Sequence, residues 1–380
     1  MNILYIAFSP IDTNNSASIR NRAILAGMMK LGHRIDVVTT KSWNGGEVAN
    51  LDFLTQLNKI YRINENYRAE SNKSFSLRPG SANILSNFIR TLYHLFFIYD
   101  SYYLILRKKK SYMDYGVYDV VISSSDPKST HLFVRKYRNK LFEAKTWIQY
   151  WGDPLSTDIT RKWLYPKKIV LHAEKRLVRL ADKVIYVSPF TLTSQMALFN
   201  DKSLNLKFLP TPFEKRRFLN KVSLGYKVSY HGWFDKNVRN IMPFYESVDS
   251  LKSLMTFEII GSGDSKIVTK DGVKVLSFTE DIIHHEDSTD LFIVILNHSG
   301  NQIPGKIYYL AGTNRPILVI LDGEHSSAMR TYLESYERFY FCSNNTNDIV
   351  KSLIMIHEEK KKFKACETLF PEAISKDFLC

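Results

Sequence analysis

The chain has 380 residues, of which 44% are hydrophobic and 13% aromatic, and its formal net charge is +14 at pH 7. This length suits two domains of ordinary size, and the apolar content excludes a chain that is disordered throughout. The positive charge indicates an anionic partner, and nucleic acid, anionic lipid and phosphorylated small molecules all satisfy that requirement. The cysteines are too widely spaced for a metal site or a disulfide framework, so we expect a reducing cytosol: Cys342, Cys366 and Cys380.

The first forty residues alternate between strand and helix patterns. The run "ILYIAF" predicts a strand, "SIRNRAILAGMMKLGH" a helix with an apolar stripe, and "RIDVVTT" a second strand. Such a unit opens an α/β domain with a parallel sheet, and its first run predicts a strand rather than a signal peptide. The polar loop after the first strand lacks the G-x-G-x-x-G pattern of dinucleotide sites. Its polar residues offer a helix N-cap and several hydrogen-bond donors at the end of the first strand.

Two basic and apolar segments of the first half bear on membranes. Segment 84–110 is interrupted by Arg90 and Asp100, so its apolar stretches are too short to span a bilayer. Segment 161–183 holds eight Lys or Arg residues against two acids, with apolar residues between them. Such segments either lie on an anionic bilayer or form core helices with solvated basic faces, and we favour the membrane surface.

Asp153 is the candidate catalytic residue of the first half. It ends the predicted strand 145–153 and begins a turn with Pro154, at the carboxyl edge of a parallel sheet. A carboxylate in that position can act as a general base or bind an acceptor hydroxyl. The alternative is a turn residue whose side chain bonds to the nearby backbone.

A second α/β pattern follows the basic, proline-containing connection "LKFLPTPFEKRRFL". Short β-rich runs such as "YKVSYH", "FEII" and "DLFIVIL" then alternate with turns and helical spacers. We therefore predict two Rossmann-like domains in tandem with a cleft between them, and ligands beyond the carboxyl ends of the strands. The predicted limits are 1–205 for the first domain, 206–224 for a linker, 225–365 for the second domain and 366–380 for a returning C-terminal helix.

Three segments of the second domain follow predicted strands and suit a phosphate. "HGWFDKNVRN" combines a glycine with two cations, "IIGSGD" makes a glycine turn, and "GNQIPGKIYYLAG" starts a helix with a lysine in its first turn. Each segment alone also suits an ordinary turn or a capped helix. Because all three lie at strand ends of one domain, we expect a phosphate site formed by Gly232, Lys236, Arg239, Gly261, Gly263, Gly305 and Lys306.

The order and spacing of these pieces resemble the GT-B glycosyltransferases, especially the bacterial retaining (family 4-like) enzymes that build surface polysaccharide and lipopolysaccharide. The matching pieces run from "MNILYIAFSP" through "ADKVIYVSPF", "HGWFDKNVRNI" and "FEIIGSGD" to "IPGKIYYLAGTNRPILVI". The resemblance implies a second domain that binds a nucleotide-diphosphate sugar without a metal or other cofactor, with Gly232, Arg239 and Lys306 at the diphosphate. It also implies a first domain that binds the acceptor, for which the expected residues are Asn14, Asn15, Ser16 and Arg20. The last helix, here 370–380, is implied to cross back to that domain.

The chain departs from this family at an acidic pair. Members commonly carry two glutamates with seven residues between them, near the donor sugar and the ribose, and the aligned residues here are Asn301 and Tyr309. The loss of both carboxylates leaves open whether the donor is a UDP-sugar or a GDP-sugar, and whether transfer retains or inverts configuration. If the enzyme inverts, Asp153 is the expected base; if it retains, Asp153 orients the substrate.

The sequence favours a metal-independent glycosyltransferase that moves a sugar to a hydroxyl of a lipid-linked glycan in O-antigen, capsule or exopolysaccharide synthesis. We expect a cytoplasmic protein bound peripherally to the anionic inner face of the cell membrane. We expect no nucleic-acid partner, since no nucleic-acid-binding motif is present. Two alternatives stay open: a sugar-nucleotide epimerase, which requires a carboxylate or histidine set around the sugar, and an inactive scaffold that binds membrane.

Overall fold

The structure, a computed structural model, describes residues 1–40, 51–63, 92–93, 95–100, 102–103, 115–158, 164–220, 225–264, 266–277, 279 and 281–380. Contacts divide the chain into two units, Met1–Pro210 with Ile374–Cys380, and Thr211–Ala373. Each unit contains a parallel sheet flanked by helices, so the predicted α/β class is confirmed. The domain limits drawn from the sequence stay predictions.

The first unit is built on a seven-stranded sheet. Its strands are β1 (Asn2–Ala7), β2 (Arg34–Thr40), β3 (Lys59–Ile63), β4 (Gly116–Ser124), β5 (Phe142–Trp151), β6 (Lys183–Tyr186) and β7 (Leu206–Phe208). Its helices are α1 (Ser16–Lys30), α2 (Leu51–Thr55), α3 (Ser129–Tyr137), α4 (Lys167–Val178) and α5 (Pro189–Phe199). The strands lie in the order β3-β2-β1-β4-β5-β6-β7, and neighbouring strands are parallel.

Apolar side chains cover both faces of this sheet. Along β1, Leu4 and Ile6 belong to one buried core, whereas Ile3 and Tyr5 belong to the other. The alternation follows from the two-residue period of a strand, and a parallel sheet is covered on both faces. The second of these cores also holds Phe378 of the C-terminal helix.

The second unit is built on a six-stranded sheet. Its strands are β8 (Tyr226–His231), β9 (Met255–Ile260), β10 (Val273–Leu276), β11 (Leu291–Ile295), β12 (Ile317–Leu321) and β13 (Tyr340–Ser343). Its helices are α6 (Met242–Leu251), α7 (Ile282–Asp287), α8 (Gly305–Ala311), α9 (Ser326–Glu334) and α10 (Thr346–Glu359), followed by a 3-10 helix (Glu367–Leu369). The last helix is α11 (Pro371–Leu379), and from Ile374 onward it belongs to the first unit. The strand order is β10-β9-β8-β11-β12-β13, again parallel.

Parallel order brings the carboxyl ends of the strands to one edge of each sheet. We call the loops after β1, β4 and β5 the first carboxyl edge, and the loops after β8, β9 and β11 the second carboxyl edge; in each set the strands are neighbours. These edges carry most of the predicted site residues. Within the described ranges, no helix is long and apolar enough to cross a bilayer.

Candidate functional site

Two loops of the second carboxyl edge pack backbone to backbone. The amide of Gly232, just after β8, donates to the Ile260 carbonyl oxygen at 2.9 Å. A Cβ at Gly261 would overlap the Gly232 carbonyl oxygen, and one at Gly263 would overlap the Phe234 carbonyl oxygen. Only glycine permits this approach, so loop packing by itself explains both glycines of the turn. Their contact with a phosphate stays a prediction.

The two predicted cations after β8 are held differently. Arg239 Nη2 donates to Asn297 Oδ1 at 2.7 Å, and its Nη1 donates to the Trp233 carbonyl oxygen at 3.2 Å. Its Nε is buried and has no hydrogen-bond partner among the described residues. Lys236 is exposed, and its backbone amide donates to Asp264 Oδ1 at 3.0 Å. Arg239 is therefore fixed against the end of β11, whereas the Lys236 side chain lies at the surface.

Helix α8 brings Lys306 and Tyr309 to a carboxylate that no sequence motif marks. Lys306 Nζ donates to Oε1 of Glu286 at 2.9 Å, and the Tyr309 hydroxyl donates to Oε2 at 2.8 Å. Arg217 also donates to Oε2 and, at 2.6 Å, to the Tyr309 oxygen. Glu286, on α7, is 0% exposed. We call these residues the Glu286 cluster: Arg217, Glu286, Lys306 and Tyr309.

The charges of the Glu286 cluster follow from its contacts. Burial by itself raises the pKa of Glu286, but the Lys306 charge, the nearby His231 imidazole and the Arg217 charge outweigh it and hold that pKa well below its usual range. Burial, followed by the Glu286 charge, raises the pKa of Tyr309 well above its usual value. Glu286 is therefore an anion at neutral pH, and Tyr309 is a neutral donor to it.

His231, the last residue of β8, lies beside this cluster. Its side chain is 3% exposed, and its Nδ1 lies 3.6 Å from Oε1 of Glu286, beyond hydrogen-bond distance. Neither ring nitrogen has a hydrogen-bond partner in the part of the chain that the structure describes. Burial lowers the pKa of the imidazole; Glu286 acts to raise it and the Lys306 charge to lower it, and the net shift is downward, so the ring is neutral near pH 7. Buried polar groups are normally paired, which makes His231 a candidate to gain a partner when a ligand binds.

The remaining predicted donor residues precede or begin α8. Gly305 is the exposed first residue of this helix, and Asn301 is half-buried in the loop before it. The structure thus brings the predicted residues together in two groups, the packed glycine loops with Arg239, and Lys306 with Tyr309. Both groups adjoin the end of β8. Its last residue, His231, lies beside the Glu286 cluster, and the next residue, Gly232, belongs to the packed glycine loops.

Asp153 lies on the first carboxyl edge, two residues after β5, among other charged side chains. Lys128, only 2% exposed, forms ion pairs with Asp126 at 2.5 Å and with Asp158 at 3.0 Å. Burial, and then the negative charge of Asp126, raise the pKa of Asp153 to about 6. A carboxyl group with this pKa exchanges its proton close to neutral pH, which suits a general base.

Helix α4 fixes the loop that follows Asp153. The buried Glu174 accepts the amide of Leu155 at 2.7 Å and the amide of Ser156 at 2.9 Å. Its pKa is raised by burial, although these hydrogen bonds favour the charged form. Glu174 went unnoticed in the sequence because it is one of only two acids within the basic segment 161–183, and nothing local indicates that it faces the loop.

Arg20, one of the four predicted acceptor residues, joins the first carboxyl edge. Its guanidinium donates to the Ser125 carbonyl oxygen and lies 5.2 Å from the centroid of the Tyr150 ring. A Cβ at Gly152 would overlap this guanidinium. Gly152, the residue before Asp153, therefore makes room for Arg20.

The other three predicted acceptor residues lie at the start of α1. Asn15 caps this helix, because its Oδ1 accepts the Ser18 amide at 2.9 Å. Asn14 accepts a hydrogen bond from Arg22 at 3.5 Å, and Ser16 is the exposed first residue of the helix. Their contact with an acceptor stays a prediction, and for Asn15 the cap is a sufficient structural reason.

The two parallel α/β units belong to the class of fold called GT-B, and comparisons with solved structures support this class. No family model and no curated protein matches the sequence. An alpha-glucosyltransferase in complex with UDP and a 13-mer DNA containing a HMU base matches with a TM-score of 0.57 and 10% identity, over 100% of this chain and 95% of that chain. TarM matches with a TM-score of 0.55 and 12% identity, over 99% of this chain and 94% of that chain.

A mutant of S. aureus TarM in complex with Fondaparinux, alpha-GlcNAc-glycerol and UDP matches with a TM-score of 0.53 and 12% identity, over 99% of this chain and 95% of that chain. At identities this low the similarity shows the fold. The predicted GT-B fold is confirmed.

Proposed function

We propose that this protein is a glycosyltransferase whose second unit binds a nucleoside-diphosphate sugar. The observation that carries the proposal is that the fixed cations Lys306 and Arg239 and a close-packed glycine loop all adjoin the carboxyl ends of neighbouring strands in one parallel sheet. When the glycosidic bond breaks, the leaving diphosphate gains negative charge. Fixed cations stabilise this charge in the transition state. Lys236 supplies a further cation at the surface of the same loop.

The donor is a UDP-sugar or a GDP-sugar in this proposal. UDP is present in the alpha-glucosyltransferase and TarM complexes named above, which makes UDP the first nucleotide to test. Lys306 and Arg239 provide positive charge at the diphosphate, so the proposed transfer does not depend on a metal ion.

Asp153 acts on the acceptor in this proposal. With a pKa of about 6, its carboxyl group is mostly ionised at neutral pH and still basic enough to accept a proton. If the reaction inverts configuration, the acceptor hydroxyl gives its proton to Asp153 as its oxygen bonds to the sugar carbon and the diphosphate leaves. If the reaction retains configuration, the carboxylate orients the hydroxyl by accepting its hydrogen bond.

The proposed acceptor is a lipid-linked glycan at the cytoplasmic face of a bacterial membrane, in surface polysaccharide synthesis. Support comes from α4, where one face is buried and the other exposes Lys168 and Ile169, the latter by 47%. Leu164, just before this helix, is 64% exposed. Apolar side chains beside lysines suit an anionic lipid surface. Most of segment 84–110 lies outside the described residues.

Vesicle flotation tests this membrane proposal. We expect the protein to float with phosphatidylcholine vesicles that contain phosphatidylglycerol, and Leu164→Glu or Ile169→Glu to abolish flotation. Leu254→Glu, at an exposed apolar position of the second unit, is the matched control and is expected to float normally. Binding of double-stranded DNA without flotation would contradict the lipid-linked acceptor and indicate a nucleic-acid acceptor instead.

A sugar-nucleotide epimerase is the second candidate function, because His231 and Glu286 place a histidine and a carboxylate beside the predicted donor site. The two enzymes differ in their need for an acceptor. A new sugar-nucleotide signal in an NMR spectrum, formed without any acceptor, would favour the epimerase. Binding of vesicles without binding of any nucleotide would favour an inactive scaffold.

Thermal denaturation against UDP, GDP, CMP, ADP and NAD tests the donor site directly. A ligand that binds only the folded protein at a hundred times its Kd stabilises it by about 2.7 kcal/mol. We expect a clear rise in Tm with one nucleoside diphosphate, lost in Lys306→Ala and Arg239→Ala. Lys351→Ala, which removes an exposed lysine from α10, is the control. Flat curves with every nucleotide would contradict the proposal.

A further inference from the structure

Lys306 already has a strong partner without any nucleotide. Its Nζ donates to Oε1 of the fully buried Glu286 at 2.9 Å. The other carboxylate oxygen, Oε2, accepts from Arg217 and from Tyr309. A diphosphate that binds Lys306 must therefore compete with Glu286 for the ammonium group.

Departure of Lys306 would leave Oε1 of Glu286 without its donor. A buried, charged oxygen that loses its hydrogen bond is costly, so the exchange requires a replacement donor. His231 meets this requirement: its Nδ1 lies 3.6 Å from the same Oε1, and both ring nitrogens lack partners within the described residues. A small closing movement would bring Nδ1 to hydrogen-bond distance.

We propose that Glu286 is a positioning residue that holds Lys306 in the free protein, and that Lys306 exchanges Glu286 for the donor's diphosphate while His231 takes its place on Glu286. The inference rests on the proposed nucleotide binding in the second unit, and it does not depend on which sugar is transferred or on the acceptor.

The exchange predicts a proton movement. Three charged side chains act on His231: Glu286 of α7, Lys306 of α8 and Glu258 of β9, with the apolar ring of Phe292 on β11 beside it. The Lys306 charge opposes protonation of the imidazole, and both glutamates favour it. When the diphosphate neutralises Lys306 and Nδ1 binds Glu286, the imidazole gains affinity for a proton. Binding near pH 6 therefore draws a proton onto His231.

Isothermal titration of the full-length protein with UDP measures this proton. Titrations at pH 6 in two buffers of different ionisation enthalpy give the number of protons taken up. The terminal phosphate of UDP also titrates in this range, so the informative quantity is the difference between wild type and His231→Asn. We expect wild type to take up more protons than His231→Asn at pH 6, and the difference to vanish at pH 8.5.

Glu286→Gln tests the competition itself. The amide keeps the size of the side chain but holds Lys306 without a charge, so we expect UDP to bind about tenfold more tightly, the equivalent of one charge-assisted hydrogen bond. A purely structural role for Glu286 predicts the reverse, weaker binding that follows loss of Tm. If Glu286→Gln does not fold, the difference in proton uptake between wild type and His231→Asn tests the exchange.

The outcomes separate the two proposals. If wild type binds no nucleoside diphosphate, the proposed function fails and the exchange fails with it. If UDP binds and Lys306→Ala weakens it, but wild type and His231→Asn take up equal numbers of protons, only the exchange is wrong. Weaker UDP binding by a folded Glu286→Gln also overturns the exchange.

Discussion

One carboxyl group, the half-buried Asp153, lies at the first carboxyl edge, and another, the fully buried Glu286 of α7, lies beside the second. Their pKa values are shifted in opposite directions. Asp153 has a pKa raised to about 6, whereas the pKa of Glu286 lies well below its usual range. Burial raises both. The neighbours decide the result: Asp153 has a second carboxylate, Asp126, as its strongest charged neighbour, whereas Glu286 has Lys306 and Arg217.

This difference assigns different tasks to the two groups. A carboxyl group near pKa 6 can exchange a proton during a reaction at neutral pH, which suits the proposed role of Asp153 toward an acceptor. A carboxylate that never protonates at neutral pH can only hold other groups, which suits the proposed role of Glu286. Burial by itself therefore does not identify a catalytic acid or base.

The largest expected effect is on stability, at the anchored carboxylate. Glu286→Ala leaves Arg217, which is 9% exposed, with only its second carboxylate, the half-exposed Asp287 at 3.2 Å, and leaves Lys306 without its partner. We expect the free energy of unfolding to fall by about 3 kcal/mol. The pKa of Glu286 is lower in the folded protein than in the unfolded chain. The stabilisation that Glu286 contributes is therefore complete at pH values above the unfolded-state pKa, and it is lost as the pH falls from there through the folded-state pKa. Urea denaturation from pH 7 to pH 3 measures both effects.

The control for this prediction is Glu334→Ala, which removes an exposed ion pair with Arg330. We expect no measurable change of the urea midpoint, since exposed pairs contribute little. Equal effects of the two substitutions would show that Glu286 is not a buried anchor.

Asp153→Asn should act in the opposite sense on stability. The folded-state pKa of about 6 exceeds the ordinary value of 3.8, so wild type loses stability as the pH rises from 3.8 through 6. The neutral amide avoids this loss, and we expect Asp153→Asn to be more stable than wild type at pH 7.5 by about 1–3 kcal/mol, with the gain absent at pH 3.5. Sugar transfer by the variant should fall sharply.

Asp158→Asn provides the contrast within the same edge. Asp158 pairs with the buried Lys128 at 3.0 Å, so its loss should destabilise the protein at pH 7.5. If Asp153→Asn also destabilises the protein at that pH, the contrast between the two edges is wrong.

A smaller effect is expected for Gly261→Ala, which places a Cβ against the Gly232 carbonyl oxygen. Separating the two loops should cost roughly 1–3 kcal/mol of stability and weaken nucleotide binding. Chemical denaturation and nucleotide titration check the two parts. Ser262→Ala, at the exposed position between the two glycines, is the control and should behave as wild type. If Gly261→Ala also behaves as wild type, the two loops do not need this contact and the prediction is wrong.

The smallest effect concerns Lys236, the exposed cation of the second carboxyl edge. Lys236→Ala should leave Tm unchanged and weaken UDP binding only about two- to fivefold, because its side chain is solvated. High salt should remove the difference from wild type. If Lys236→Ala weakened UDP binding as much as Lys306→Ala does in the same titration, a surface charge would contribute as much to binding as a fixed one.

Much of the second carboxyl edge was predictable because its signals are local. The "HGWFDKNVRN", "GSG" and "IPGK" segments follow β-rich runs, and parallel strands bring such ends to one edge. The Glu286 cluster was not predictable in the same way, since Arg217 and Glu286 are 69 positions apart and α7 has no motif. The one signal was Tyr309, which stands where the resembling family has a carboxylate and here donates to one from another helix.

The sequence by itself determined the α/β class and the placement of Arg239, Lys306 and Asp153 after strands, because hydrophobic period and turn residues act over a few positions. The GT-B fold was predicted from the resemblance of the ordered segments to a known family. Only the tertiary structure decided which charges meet. Electrostatic shifts depend on distances between side chains and on burial, and both are set by packing between distant elements. That packing gives Glu286 two cations and gives Asp153 another acid.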